Sequence, residues 1–413
     1  MPTASSTRRA FIEKRKNMRN MKTSFAALAI ITVGISCGGP TGESAPESSP
    51  VIDDELASNT GNPGVTATQV NLVSDQKRVA KMTDPNLKNA WGLAFNPVGF
   101  AWVSAAETGL SPVYDANGNL KLTVTIPVPE GVKETAAPTG QVFNDQTEDF
   151  NGDAFIFVTE QGTIAGWQVA YETMAMLRVD NSRDKAIYKG VTIANTRMVD
   201  GKKVDRKKGD ARLYATDFHN NKVDVFDDNY RPIKQHSDAF RDRELPKGYA
   251  PFNVLAHDAI VLVTFALQDK EAEDDVAGPG NGFVDVFDLN GRLLGRLISG
   301  GELNAPWGLA LTPQVKHEPG KDHELSKLLV GNFGDGRINT YNLSMHGWKL
   351  DAKFAGPIAD HKRRPISVDG LWAIAYGPGT GGFDANELYF TAGPEDEEHG
   401  LFGKLVFDMK DHE

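Results

Sequence analysis

The phrase Asn89-Ala90-Trp91-Gly92-Leu93-Ala94-Phe95 returns late in the chain as Asn304-Ala305-Pro306-Trp307-Gly308-Leu309-Ala310-Leu311. A chain that repeats a phrase at a steady period folds as copies of one small unit packed side by side. Four weaker versions complete the series: Ala137-Pro138-Thr139-Gly140-Gln141-Val142-Phe143, Tyr188-Lys189-Gly190-Val191, Ala250-Pro251-Phe252-Asn253-Val254 and Val368-Asp369-Gly370-Leu371-Trp372-Ala373-Ile374. Their starts, at 91, 139, about 190, 251, 306 and 371, are spaced by roughly 50–65 residues.

Each opening phrase leads to a second apolar run that ends at a polar or glycine-rich turn, as in residues 101–109, 155–163, 212–221, 259–267, 328–336 and 387–395. Third runs follow at 222–227, 282–288, 337–342 and 404–408, and fourth runs at 120–126 and 292–298. The turns Asp115–Gly118 and Asp288–Gly291 carry Asn-Gly, a tight-turn signal between alternating strands. Helix is expected only around 170–177 and 237–242. Short strands at this period predict an all-β chain, a six-bladed β-propeller with four-stranded blades over residues 69–413. A pair of sandwich domains is the other all-β arrangement, and the shared Trp-Gly-Leu-Ala phrase favours radial repetition. Residues Gln69–Asp75 are expected to pair with Lys404–Asp408 and close the ring.

The run Ala215–Asp227, Ala-Thr-Asp-Phe-His-Asn-Asn-Lys-Val-Asp-Val-Phe-Asp, resembles NHL-type blades. With the 89–97, 138–144, 304–311 and 369–373 phrases, the body resembles an uncharacterised family of bacterial secreted six-bladed propellers, with wider kinship to NHL and gluconolactonase-like propellers. The resemblance implies a fold and a compartment and no reaction.

The N-terminal part reads as an address. Lys22 precedes an apolar run, Phe25–Ile35, too short to span a bilayer comfortably as a helix. Residues 1–36 are expected to be a signal peptide, with Met18 or Met21 the expected start. Cys37, the one cysteine of 413 residues, follows Ser36 and precedes Gly38-Gly39, which resembles a bacterial lipobox and implies lipidation of Cys37. Gly34 departs from the leucine usual in that motif. Residues 37–68 are rich in Gly, Pro, Ser and Thr and are expected to be a disordered tether. The expected location is the bacterial cell envelope, periplasmic or outer-membrane anchored, or secreted. One cysteine excludes an intramolecular disulfide framework and a cysteine-based zinc site. Removing the seven basic residues and one acid of positions 1–36 leaves 37 basic against 54 acidic groups. Such a body does not bind nucleic acid or anionic lipid by general electrostatics, so membrane contact is expected only through the lipid, and the body is expected to be a monomer.

Inner strands of a propeller line its axis, which brings Asn89, Thr139, Gln141, Asn253, Asn304 and Asp369 together, with Trp91, Trp307 and Trp372 near them. Asp369, Asn253 and Asn304 could supply oxygens to a hard cation such as Ca²⁺. The competing reading is that small and amide residues fill the narrow axis and that the tryptophans pack between blades. Trp91 and Trp307 occupy equivalent positions, so their alanine variants are expected to disrupt the fold nearly equally. The loops after the second strands add Glu107, Thr108, Glu160, Asp217, His219, Asn220, Asn332, Asp335 and Glu395. His219 with Asp217 is the acid/base pair on offer, against a role for Asp217 in its own turn. The acidic runs 271–275 and 395–398 are expected to be solvated, and Lys202–Lys208 an exposed hairpin. The glycine runs 278–282 and 377–382 lead into no helix and so form no phosphate cradle.

Two functions follow. One is a binding module that presents a rim or channel to a protein, glycan or small molecule, with Asn89, Trp91, Gln141, Asn253, Trp307, Asn332 and Trp372 as contacts. The other is a calcium-type hydrolase such as a lactonase. The gluconolactonase pattern would need an inner-strand glutamate, which is missing here.

Overall fold

The computed structural model describes residues 65–194, 197–199, 202–204, 211–313, 327–346 and 349–408. The signal-peptide, start-site and Cys37 expectations lie outside them.

The regular structure of the described residues is strand, apart from three short 3-10 turns. Sheet A holds Ala90–Phe95, Ala101–Ala105, Leu110–Tyr114 and Leu120–Thr125, paired antiparallel in chain order. Sheet B repeats this with Pro138–Phe143, Phe155–Thr159, Thr163–Trp167 and Met176–Asp180. Sheet C has three strands, Tyr188–Ala194, Arg212–Asp217 and Lys222–Phe226. Sheet D holds Tyr249–His257, Ile260–Leu267, Phe283–Asp288 and Leu293–Ser299. Sheet E holds Pro306–Leu311, Lys327–Asn332, Ile338–His346 and Lys349–Ala359. Sheet F holds Leu371–Tyr376, Leu388–Ala392 and Leu401–Phe407, and takes its outer strand, Val65–Ser74, from the other end of the chain. That strand also meets the outer strand of sheet E, so E and F run together as one nine-stranded sheet that includes Met82–Thr83.

The first strands of A to F touch in sequence, and that of F touches that of A. Between each neighbouring pair lies an apolar layer. Examples are Trp102 with Phe155 and Trp167 between A and B, and Tyr114 with Tyr389 and Phe402 between F and A. A closed circuit of sheets packed face to face is a β-propeller.

The repeated glycine has a steric cause. A Cβ on Gly92 would run into the Thr139 carbonyl of sheet B, one on Gly140 would lie 2.9 Å from Val191 N, and one on Gly308 would lie 2.9 Å from the Trp372 carbonyl. Inner strands crowd at the axis, so the position that faces the next backbone has no room for a side chain. Gly92→Ala is therefore expected to cost about 1–3 kcal/mol in chemical unfolding. Gly295→Ala, where a Cβ would meet nothing within 4 Å, is the matched control and should be near neutral.

Four expectations are corrected. Sheet C lacks a fourth strand among the described residues, because the chain after Phe226 turns at Asp227–Arg231 into Pro232, which has no N–H to donate to a ladder. The strand of sheet F opens at Val65, so the last four residues assigned to the tether belong to the sheet. Residues 170–177 form only a short 3-10 turn, Val169–Tyr171, before the strand from Met176. Residues 237–240 form turns rather than a helix. The ring closure is as expected, with Thr68 opposite Val406 and Ser74 opposite Leu401. Lys202–Val204 pairs antiparallel with Arg197–Val199 as a hairpin.

Candidate functional site

The residue just before the crowded position of each inner strand is, from A to F, Trp91, Thr139, Lys189, Phe252, Trp307 and Trp372. Five of these six meet near the axis. Trp91 stacks on Trp372 with ring centroids 3.5 Å apart, and Phe333 covers the other face of Trp372 at 3.9 Å. The Lys189 ammonium sits over Trp91, 5.1 Å from its centroid. Trp307 meets both tryptophans edge-on, at 6.3 and 6.1 Å, and Phe252 meets Trp372 at 6.0 Å. The order along the stack is Phe333, Trp372, Trp91, Lys189. Both faces of Trp91 and of Trp372 are therefore covered, and neither ring is a platform for a sugar or base. The reading of these residues as core is the one that the packing supports.

The amides are also engaged by the fold. Gln141 donates to the carbonyls of Gly92 at 2.8 Å and Trp102 at 2.6 Å, tying sheet B to sheet A. Thr139 donates to the Tyr188 carbonyl at 2.7 Å and Thr216 to that of Phe252 at 3.1 Å. Asn253 donates to the Trp307 carbonyl at 2.6 Å and accepts from Val254 N at 2.8 Å. Thr391 donates to the Trp91 carbonyl. Apart from that of Val254 N, these bonds run between neighbouring sheets, and all satisfy buried polar groups that would otherwise be costly.

The expected metal ligands are placed apart in role. Asn304 accepts from Gly278 N at 2.7 Å, and exposed Asp369 accepts from Glu395 N at 2.8 Å, so each anchors a loop while Asn253 staples two strands. Among the described residues no group of three His, Cys, Asp or Glu side chains is arranged to hold an ion. The His219–Asp217 pair is not made either. The buried Asp217 carboxylate accepts from Ile187 N, Asn220 N and Asn220 Nδ2, the last at 2.8 Å, which is the turn role. His219 Nδ1 lies 3.2 Å from the Ala272 carbonyl. Asn332 donates to the Glu302 carbonyl at 2.8 Å and to Asp335 at 3.2 Å, while its Oδ1 has no partner among the described residues.

The structure assembles a different cluster at this mouth. Lys189 is 1% exposed and donates to Glu160 at 2.6 Å and to Asp274 at 3.3 Å. Burial pulls its pKa down, but the Glu160 and Asp274 charges outweigh that and hold the ammonium above its ordinary value. Asn89, with φ 46°, donates from Nδ2 to Glu397 at 2.9 Å and accepts from Trp372 Nε1 at 2.9 Å.

Two long loops close over these groups. Residues 268–282 of sheet D are tied by Gln268 to the Phe218 carbonyl at 2.6 Å, by Asp274 to Lys189 and by Gly278 to Asn304. Residues 393–400 of sheet F include Glu395, Asp396 and Glu397, three consecutive residues at positive φ, of 56°, 57° and 70°. L-residues pay for that conformation unless their surroundings hold it. Asp369, Asn89 and Asp75 do so, Asp75 accepting from Gly400 N at 2.9 Å and bonding His399 Nδ1 at 2.8 Å.

His399–Asp75 is thus the imidazole–carboxylate pair that the fold makes at this mouth. A second one, Thr68 Oγ1 to His361 Nε2 at 2.7 Å and His361 Nδ1 to Asp408 at 3.2 Å, is set on the outer strands of sheet F. Its mostly exposed imidazole clasps the ends of paired strands.

No family model matches the chain. Two uncharacterised proteins of Acanthamoeba polyphaga mimivirus are similar to it in sequence. One is 29% identical over 365 residues, covering 84% of this chain and 82% of the relative. The other is 28% identical over 359 residues, covering 82% and 85%. Solved structures with a similar fold include virginiamycin B lyase from Staphylococcus aureus, with 12% identity, a TM-score of 0.43 and coverage of 83% of this chain and 99% of that one. The soluble aldose sugar dehydrogenase of Escherichia coli gives 13%, 0.44, 83% and 99%. Regucalcin, a calcium-binding protein from Agrobacterium tumefaciens, gives 12%, 0.43, 78% and 91%. These two relatives are viral, and the likeness to the solved structures assigns this chain no activity.

Proposed function

We propose that the chain is a six-bladed propeller, four-stranded except in sheet C, that binds a ligand at the mouth roofed by residues 268–282 and 393–400. The observation that carries this reading is that the axis is filled. Its tryptophans stack on one another and its amides staple neighbouring sheets, which leaves the loop-built mouth as the place for variable contacts. Both loops are acidic, with Glu271, Glu273, Asp274 and Asp275 on one and Glu395 to Glu398 on the other. Partial burial first, then Asp274 and Asp269, push the Glu273 carboxyl above its ordinary value, the signature of crowded negative charge. A ligand with positive charge relieves that crowding, so the class favoured is a basic peptide or an organic cation.

The metal-dependent hydrolase reading is less favoured, because Asn253, Asn304 and Asp369 serve three separate structural tasks. Export and lipid anchoring rest on the sequence around Cys37.

Elemental analysis of the protein purified without chelator or histidine tag should find no stoichiometric metal. About one calcium per chain, lost in Asp369→Ala, would restore the hydrolase reading. In binding screens, Glu273→Lys and Glu395→Lys should each weaken a cationic ligand at least tenfold with the fold intact. Retention of full affinity in both variants would remove the mouth as the site. Cys37→Ser should move the protein from the membrane to the soluble fraction, and an unchanged partition would remove the anchor.

A further inference from the structure

Where sheet C lacks a fourth strand, residues 232–248 form a strap that leaves its edge and crosses to sheet D. Ile233 N donates to the Val225 carbonyl at 2.8 Å, which ties the start of the strap to sheet C. Further on, Phe240 packs against Tyr214 of sheet C at 5.7 Å and Phe287 of sheet D at 5.3 Å, and its N–H donates to the Gly291 carbonyl at 2.8 Å. Beneath the strap, on the third strand of sheet D, lies Asp285, which is 0% exposed. Neither of its carboxylate oxygens has a hydrogen-bond partner among the described residues. The cation beside it is Arg296 of the fourth strand, with Nε 3.5 Å from Asp285 Oδ1. The same guanidinium makes a close ion pair through Nη2 with Asp242 of the strap, whose side chain is only 4% exposed, and lies over the Phe283 ring at 5.0 Å.

Two buried carboxylates therefore share one guanidinium. Fully ionised, the group holds one uncompensated negative charge in an apolar enclosure, which costs several kcal/mol unless something neutralises it. A proton held by the carboxyl pair does so and gives one of the orphaned oxygens a hydrogen bond. Lys234, Arg241, Glu244 and Lys247 of the strap are exposed, and so is His236, which accepts from Asp238 N at 3.3 Å; three further groups are engaged elsewhere. Tyr214 and Arg212 of sheet C bond the Leu289 carbonyl, Arg212 also reaches Asn290, and Arg243 of the strap pairs with exposed Asp238.

We propose that Asp242, Arg296 and Asp285 form a pH-sensitive latch, which holds residues 232–248 on sheet D while one carboxyl keeps its proton and frees the strap when both are ionised. Burial first, and the Asp242 charge next, push the Asp285 carboxyl up to about 7, against the pull of Arg296. A carboxyl raised in the folded state stabilises it fully below the unfolded value of 3.8, and that contribution is lost as pH rises through about 7. The latch is thus closed in mild acid and open in mild base.

Hydrogen exchange of the full chain, corrected for the intrinsic rate at each pH, tests this between pH 6 and 8.5. Amide protection across 232–248 should fall by up to about tenfold for each pH unit above 7, while Ile260–Leu267 of sheet D stays protected. Asp285→Asn keeps the shape and removes the excess charge, so its strap should stay protected across the range. Asp242→Asn leaves a single Arg296–Asp285 pair and should flatten the response equally, which keeps the test open if the first variant does not fold. A wild-type strap with constant protection, or variants that lose protection in step with it, would overturn the latch.

Discussion

Lys189→Met should lower the unfolding free energy by about 3 kcal/mol, to be read from the denaturant midpoint at an unchanged slope. Methionine keeps most of the stem that lies against the axis, so the loss is one of charge rather than of volume. Without the ammonium, Glu160 and Asp274 lose the cation that they share. Their side chains are 19% and 26% exposed, so some water reaches them, which places the expected cost at the low end of that for breaking a buried pair. Glu160→Gln should cost only about 1 kcal/mol, because Asp274 still pairs with Lys189. The double variant should lose less than the sum of the two, since the charge left stranded by one change is removed by the other. A Lys189→Met protein within 0.5 kcal/mol or so of wild type would mean that the mouth closes without this hub. The ammonium is held above its ordinary value, so its contribution is present below an unfolded value of 10.5 and is lost only as pH rises beyond that. The loss in Lys189→Met should therefore be the same at pH 6 and pH 8, unlike any effect of the Asp285 latch.

Lys189 also shows how much of the site was legible in the sequence. Aligning the six opening phrases places it in the column of Trp91, Trp307 and Trp372, where a lysine among aromatics is the anomaly. The alignment alone carries that signal. Asp75 was legible in a similar way. Pairing Gln69–Asp75 with the last strand puts its carboxylate beside residues near 400, and so beside His399, although 324 positions separate the two. His219 misled because its local spacing to Asp217 resembles an acid/base pair. The Asp217 side chain was instead claimed by the N–H groups of its own turn, the usual fate of an aspartate there.

The strand order followed from periodicity because each strand pairs with a neighbour in the same unit, whereas the ring closure, between strands from opposite ends of the chain, was an expectation from the propeller architecture. The strap did not, since residues 232–248 hold no alternating run, and their few apolar groups find sheet D only in three dimensions. The role of the amides was open for the same reason. A buried asparagine on an inner strand has equal potential as ligand or staple, and the backbone carbonyl of the adjacent sheet decides between them.

Equivalence in sequence also predicts that Trp91→Ala and Trp307→Ala disrupt the fold equally, and the packing argues for a difference. Both side chains are buried, and truncating either removes a large apolar volume from the axis, at about 3–5 kcal/mol. Both indole N–H groups lack a hydrogen-bond partner among the described residues, so neither variant loses a bond that the other keeps. The distinction lies in the ring faces. Trp91 stacks on Trp372 at an interplanar angle of 14° and carries the Lys189 ammonium over its ring, whereas Trp307 meets its neighbours only edge-on, at 72° and 82°. A stacked pair and a desolvated cation over a ring each contribute roughly 1 kcal/mol beyond burial. Trp91→Ala should therefore lie near the top of that range and Trp307→Ala near the bottom, a gap of about 1–2 kcal/mol in matched unfolding curves. Combining Trp91→Ala with Lys189→Met should close part of the gap, because the cation–ring contact is then already gone. Equal losses in the single variants would mean that the axis responds to volume alone, and that the stack from Phe333 to Lys189 adds nothing of its own.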